Sequence, residues 1–372
     1  MRHFGAAFFA VRDGAPKHSK ALSSNNLRQL ALCIAFITMG FHLGNYFWSG
    51  WAKLTLGPHF WSWAFLNHTQ NLMLGAHKTR TLIFGHWPWI TQQIFDAFGA
   101  VVIFSNVAVV VTQLFALFAP LRLRWITISS WCYDALHVGI FFIGALFFWP
   151  WIWNNLSIML AARRSSDREV GWAPKICCIL TILLGGWIGG SARLAWWDVS
   201  DFRTPTIQAE AEDGTWIDVP LSFFLSQAYA MGHAQENQAV TTGHYLPTDS
   251  RESTGSYDRV QSSGTCPTPP EIAEPESPAE RAKSLDRFGR FLRAHHRKML
   301  ALADESGNYN FYVASLFHTP SNYWMNEKFN AMNIRKIKDY RLLTQSICYK
   351  VIDGHLVEHV VKEDTVVFDV GE

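Results

Sequence analysis

Tyr46-Phe47-Trp48-Ser49-Gly50-Trp51-Ala52-Lys53-Leu54 closes the first long apolar run of the chain, and its reading decides the fold. From Leu30 to Ala52 no residue is ionised before Lys53 is reached. A helix of about 20 apolar residues crosses the hydrocarbon core of a bilayer, so this run is expected to span one. A lysine at its end either snorkels its amine to the interface or holds it in a cavity where the proton can be exchanged.

Working outward, the same texture recurs up to residue 198. Residues 55–95 carry Trp61, Trp63, Trp87 and Trp89, which predict an interfacial segment with a short helix around Phe60–Gly75. Ala97 to Leu121 holds no charge and is a second span, ended by Arg122 and Arg124. Trp125 to Ala162 is too long for one straight span, and Trp149-Pro150-Trp151 is the expected break, leaving Ile152–Ala162 as a shorter helix. Arg163, Arg164 and Arg168 precede the last span, Ile176 to Ala192. Of 17 tryptophans, all but Trp216 and Trp324 precede residue 200, a skew that itself points to a membrane–water boundary. The fold class expected is an α-helical multi-pass membrane protein of four to five spans with a small α+β C-terminal soluble domain, located in a bacterial inner or cell membrane. Four spans would put the loop carrying Arg163, Arg164, Arg168 and Lys175 on the side away from the basic N-terminus, and five would return it, so orientation stays open.

The domain plan follows from composition. Residues 1–27 form a basic leader with Arg2, Arg12, Lys17 and Lys20, and 28–198 the transmembrane domain. Residues 199–234 and 277–372 are two parts of one soluble α+β domain, separated by a flexible linker at 235–276 that is poor in large apolar side chains. Asp213-Gly214 and Asp353-Gly354 mark hairpins, the second between Leu342–Ile352 and His355–Val361. Leu221–Met231 and Ser321–Lys338 are expected as helices, Phe311–Phe317 and Thr365–Val370 as strands. Ser277-Pro278-Ala279-Glu280 is a helix start, followed by Leu285, Phe288, Leu292, Met299 and Leu302 at helical spacing on a strongly basic background. That helix either lies on anionic headgroups or covers a small core.

The net charge of +2 implies no polyanionic partner, and no nucleic-acid ligand is expected. The six cysteines show no metal spacing; Cys266 and Cys348 pair only if their half faces an oxidising compartment. His59, His68, His77 and His86 recur every nine residues, which alternates helix faces and builds no metal site. His42 and His137 sit on different spans, where a haem is the only shared role, and nothing else supports one. Asn67-His68-Thr69 and Asn155-Leu156-Ser157 match the glycosylation pattern by chance in a membrane context. No Walker loop, dinucleotide fingerprint, HExxH or GxSxG is present.

Tyr46-Phe47-x-x-Gly50-x-x-Lys53-Leu54 resembles the motif that closes a membrane helix in vitamin K-dependent γ-glutamyl carboxylases and their wider HTTM (horizontally transferred transmembrane) family. The resemblance covers about residues 40–160. It implies that Lys53 is a base acting on a lipid-soluble quinol, with Tyr46, Phe47, Gly50 and Leu54 shaping the pocket. Asp134 and His137, three residues apart on one face of a later span, complete the candidate catalytic set. The implied function is binding or conversion of a quinone-like molecule in a polar intramembrane pocket, and whether this is enzymatic stays open. DoxX/MauE-like membrane subunits also place Gly-x-x-Lys-Leu at a helix end. They imply a non-enzymatic role, with the lipid bilayer and a membrane or redox partner protein, bound through the C-terminal domain, as partners.

Overall fold

The computed structural model describes residues 24–188, 192–227, 266, 278–309, 320–352 and 355–370. Most of the basic leader, most of the linker, Ser277, the Phe311–Phe317 strand and the Asp353-Gly354 tip lie outside the described residues. The chain divides into two units: Met1–Ala64, Val107–Leu136 and Pro150–Ala195 form a helical unit, and Phe65–Asn106, His137–Trp149 and Trp196–Glu372 a mixed one.

Three helices are long and apolar enough to cross a membrane: α1 (Ser24–Thr55), and two later helices whose membrane-length stretches are Pro88–Leu117 and Leu123–Gly144. Short helices α2 (Ser62–Leu66) and α3 (Leu72–Lys78) follow α1, and the long ones are α4 (Pro88–Leu114) and α5 (Leu123–Gly144). Then come α6 (Trp149–Arg163), α7 (Asp167–Val170) and α8 (Trp172–Ile188), the last a shorter apolar helix. The long run after Trp125 breaks earlier than the sequence suggests. Ala145 takes a left-handed conformation (φ 54°), and Pro150 falls in the first turn of α6, where its missing N–H costs nothing. The interfacial segment is two short helices rather than one.

The outer surface of these helices is apolar as well. On α1, Leu32, Phe36, Met39, Leu43, Tyr46 and Lys53 are buried at three- and four-residue steps, yet Leu30, Ile34 and Phe41 on the far side are exposed and equally apolar. Phe104 on α4 is 79% exposed and Trp187 on α8 80%. A helix that is apolar all round needs a surround other than water.

Inside the helical unit α1 and α8 pack at close range. The Trp48 indole donates to the Ile182 carbonyl (2.9 Å), and a side chain at Gly40 would meet Thr181 and the Cys178 carbonyl. Phe36, Met39, Leu43, Ile126, Tyr133, Cys178 and Ile182 fill the core.

The mixed unit holds a four-stranded antiparallel sheet of order β2-β1-β3-β4, with β1 at Asp201–Glu210, β2 at Trp216–Asp218, β3 at Asp339–Ile352 and β4 at His355–Asp369. The first hairpin forms as the Asp-Gly signal requires: Gly214 has φ 81°, and the Asp213 carboxylate accepts from the Thr215 amide. The expected hairpin strand and final strand are one continuous β4, because its solvent-facing positions on the sheet edge tolerate Lys362, Glu363 and Asp364. The helix expected over Ser321–Lys338 is broken into short turns. Asn322 and Asn333 side chains accept from the Trp324 and Arg335 amides, an alternative to continued helix. Leu221–Gln227 is a 3-10 stretch kinked at Leu225 (φ 53°).

Helix α9 (Pro278–Leu302) uses its apolar stripe for the domain core. Phe288, Leu292 and Met299 pack with Ile207, Phe223, Phe224, Tyr340 and Phe368, while Lys283, Arg287 and Arg290 face outward. Of the two readings of the basic helix, the core-covering one holds.

His295 and His296 lie on the buried face of the same helix: the His295 ring donates to the Phe223 carbonyl (2.8 Å), and His296 bonds the Tyr340 hydroxyl (3.0 Å). Burial disfavours both imidazolium forms and lowers both values below the usual ~6.5. As pH falls through about 6.5, the unfolded chain takes up protons that the folded domain refuses, so stability is lost on acidification. Thermal unfolding of the C-terminal domain is expected at lower temperature at pH 5.5 than at 7.5, and the difference should shrink in a His295→Gln/His296→Gln variant.

Candidate functional site

Polar side chains line the buried face of α1 at helical steps: His42, Tyr46, Ser49 and Lys53. His42 and Tyr46 meet Asn155 of α6, which is 0% exposed. The Asn155 carbonyl oxygen bonds the His42 ring (2.8 Å), and its amide nitrogen donates to the Tyr46 hydroxyl (2.9 Å) and to an Asp134 carboxylate oxygen (2.8 Å). Since the His42 nitrogen faces a carbonyl oxygen, it carries the proton. Tyr46 also stacks on Tyr133, ring centroids 3.8 Å apart. One amide thus joins α1, α5 and α6.

Lys53 is 9% exposed and held by other partners. Its amine donates to the Leu194 carbonyl and lies 5.4 Å from the Trp63 ring centroid. One turn earlier, Ser49 donates to the Ala192 carbonyl (3.0 Å) and accepts from the Leu194 amide (3.1 Å). The chain leaving α8 is fastened to the end of α1 by these contacts.

The other motif residues have packing roles. Phe47 packs against the core and Leu54 is buried. Gly50 lets α1 approach α4: an added Cβ would lie 2.8 Å from the Gln113 Cβ and 3.1 Å from the Leu114 nitrogen. Gln113 is 7% exposed, and its side-chain oxygen has no partner among the described residues. An acceptor stranded in a membrane interior is costly unless something donates to it.

Of the three catalytic candidates, Asp134 enters the Asn155 cluster, Lys53 is bound to Leu194 and Trp63, and His137 is a member of the mixed unit with its ring 5.3 Å from that of Phe148. Asn155 and Gln113 are functional candidates that sequence reasoning missed, and His42 was read only as a candidate haem ligand. Asn155 was assigned only to a chance glycosylation pattern, and an uncharged amide inside an apolar run was the signal to follow.

Two further features belong to the mixed unit. Asp198, 1% exposed, accepts from the Asn67 amide (2.7 Å) and the Trp196 indole (2.9 Å), while its backbone amide donates to the Asn67 carbonyl (2.7 Å). Asn106 and Thr69 extend this knot. Asn67 is therefore committed inside the protein. A cleft of about 570 Å³ is lined by Lys78, Arg80, His86, Asp218, Trp324 and Glu358 among others. Its cations are already paired, Lys78 with Glu358 and Arg80 with Asp218, each at 2.6 Å. No group of three or more histidine, cysteine, aspartate or glutamate side chains among the described residues could hold a metal ion.

No protein-family model, curated protein or solved structure matches this chain.

Asp198→Ala would remove the buried carboxylate that accepts from the Asn67 amide and the Trp196 indole, a loss of about 1–3 kcal/mol, and should lower the unfolding temperature of detergent-solubilised protein. Gly50→Ala should cost about 1–3 kcal/mol by overpacking against Gln113. Gly139→Ala, with open space around it, is the control expected to be neutral in the same melting experiment.

Proposed function

We propose that the chain is an integral membrane protein of five crossings whose helical unit binds a lipid-soluble hydroxyl or carbonyl compound of the quinone/quinol class. The observation that carries this reading is the polar seam along α1, with the Asn155 cluster at one point and the unpartnered Gln113 oxygen beside Gly50 at another. A quinol hydroxyl would supply a donor for the Gln113 oxygen, which has none among the described residues, and Asp134 and His42 of the Asn155 cluster are groups able to exchange protons with such a ligand. Lys53 closes the seam as a positive terminus rather than as the proton-abstracting base that the carboxylase-like resemblance implies.

Five crossings add α6 and α8 to the three long helices. At 1.5 Å per residue they are about 22 and 26 Å long, short of a ~30 Å hydrocarbon core but within what local thinning and flanking residues accommodate. The location that follows is a cell membrane.

The mixed unit supports a second reading, a non-enzymatic DoxX/MauE-like subunit that assists a redox or secretion partner. Among the described strands β4 stands at one edge of the sheet, and it carries exposed Val360 and Val367. An unpaired edge with apolar side chains is a template for another chain.

Purification in mild detergent followed by mass spectrometry of co-purified lipids separates the two. The quinone reading expects a stoichiometric quinone that falls at least several-fold in Gln113→Leu and Asn155→Leu and is retained in Lys53→Met. A preparation free of quinone but carrying a stoichiometric partner protein, unaffected by those substitutions, would sink it in favour of the second reading.

A further inference from the structure

We propose that the C-terminal domain that follows α8 lies on the oxidising, extracytoplasmic side of the membrane, and that Cys266 and Cys348 are the substrate of a disulfide-exchange oxidant there. Two independent observations carry this, and neither depends on what the helical unit binds.

The first is the distribution of charge along the helical unit. Arg28, near the start of α1, pairs with Glu169 (3.8 Å). Lys175 at the start of α8 donates to the Leu121 carbonyl (3.0 Å), and the Leu123 amide that opens α5 donates to Asp167 (3.3 Å). These contacts gather the start of α1, the start of α5, the end of α6 and the start of α8 at one end of the unit. Arg122, Arg124, Arg163, Arg164 and Arg168 sit in the same segments. At the opposite end, where Ser49 and Lys53 hold Ala192 and Leu194, the basic residues described within the helical unit are Lys53 and Arg193, with Lys78 and Arg80 further along the chain before α4. An excess of arginine and lysine next to membrane spans marks the cytoplasmic side. The Lys53 end is then extracytoplasmic, and Trp196–Glu372, which follows α8, is reached from it along the chain. Parity agrees: α6 and α8 cross as a pair or not at all, so three or five crossings deliver the C-terminal sheet to the same side.

The second observation is the disulfide between Cys266 and Cys348, with Cα atoms 5.5 Å apart. Such bonds persist in oxidising compartments and are rare in the cytosol. In chemical terms the two thiols lose two protons and two electrons as the S–S bond forms. The electrons reduce the disulfide of the oxidant, which departs as a dithiol. Cys348 is fully buried in β3, so the exchange must occur before the sheet closes over it, during or soon after translocation. The remaining cysteines, Cys33, Cys132, Cys177 and Cys178, are free thiols on helices of the other unit.

Two measurements on the full chain in membranes test this. Thiols are blocked with N-ethylmaleimide under denaturing conditions at harvest, and the protein is then reduced and labelled with a maleimide-polyethylene glycol. Wild type should gain two adducts and Cys266→Ser none. In right-side-out vesicles, an impermeant maleimide should label Ser306→Cys directly but Arg164→Cys only after permeabilisation, both scored against wild type. Finding Cys348 already free at harvest in wild type, or the two labelling patterns exchanged, would overturn the proposal.

Discussion

The side-chain amide of Asn155 sets the helical unit. In a surround that offers no water, its oxygen and nitrogen bond His42, Tyr46 and Asp134, and those three bonds fix the register of α6 against α1 and α5. With that register given, Tyr46 stacks on Tyr133, Gly50 meets Gln113, and Lys53 emerges at the end of α1 to hold the chain leaving α8. Apolar packing alone is a weak guide here, because lipid and protein interior are equally apolar. The polar contacts are what distinguish one helix arrangement from its neighbours.

The mixed unit depends on the same principle applied under different conditions. Asp198 is buried with the Asn67 and Trp196 donors, and the knot it forms joins the segment after α1 to the segment after α8. Beyond it the sheet and α9 behave as an ordinary soluble domain, with an apolar stripe inside and arginine and lysine outside. The contrast between the outer faces of α1 and α9 separates the two solvents of this protein more clearly than mean composition does. On α1 the exposed positions include Leu30, Ile34 and Phe41, and on α9 Lys283, Arg287 and Arg290.

The candidate site was legible only in part. Charge inside an apolar run drew notice to Lys53, Asp134 and His137, and the structure gives each a different set of partners. Asn155 and Gln113 carry no charge and so left no mark against their background. His42 stands out in the sequence as an imidazole, but spacing cannot say that its partner is the Asn155 amide, 113 residues away. Gly50 was read as part of a chemical motif, and its demonstrable role is to admit the Gln113 backbone and side chain at contact distance.

Local rules, each resting on a few consecutive residues, were enough to determine the long apolar helices of membrane-spanning length, the Asp213-Gly214 turn and the amphipathic α9. Apolar length, turn chemistry and helical spacing are properties of the chain itself. Tertiary structure alone decided the break at Ala145, the fusion of two expected strands into β4, the Asn155 cluster and the pairing of Cys266 with Cys348. Each of these depends on partners tens to more than a hundred residues away, or on the capacity of a sheet edge to tolerate charge. Lys53 shows the division in a single residue: the sequence announces a cation at the end of a span, and only the fold shows it bound to the Leu194 carbonyl.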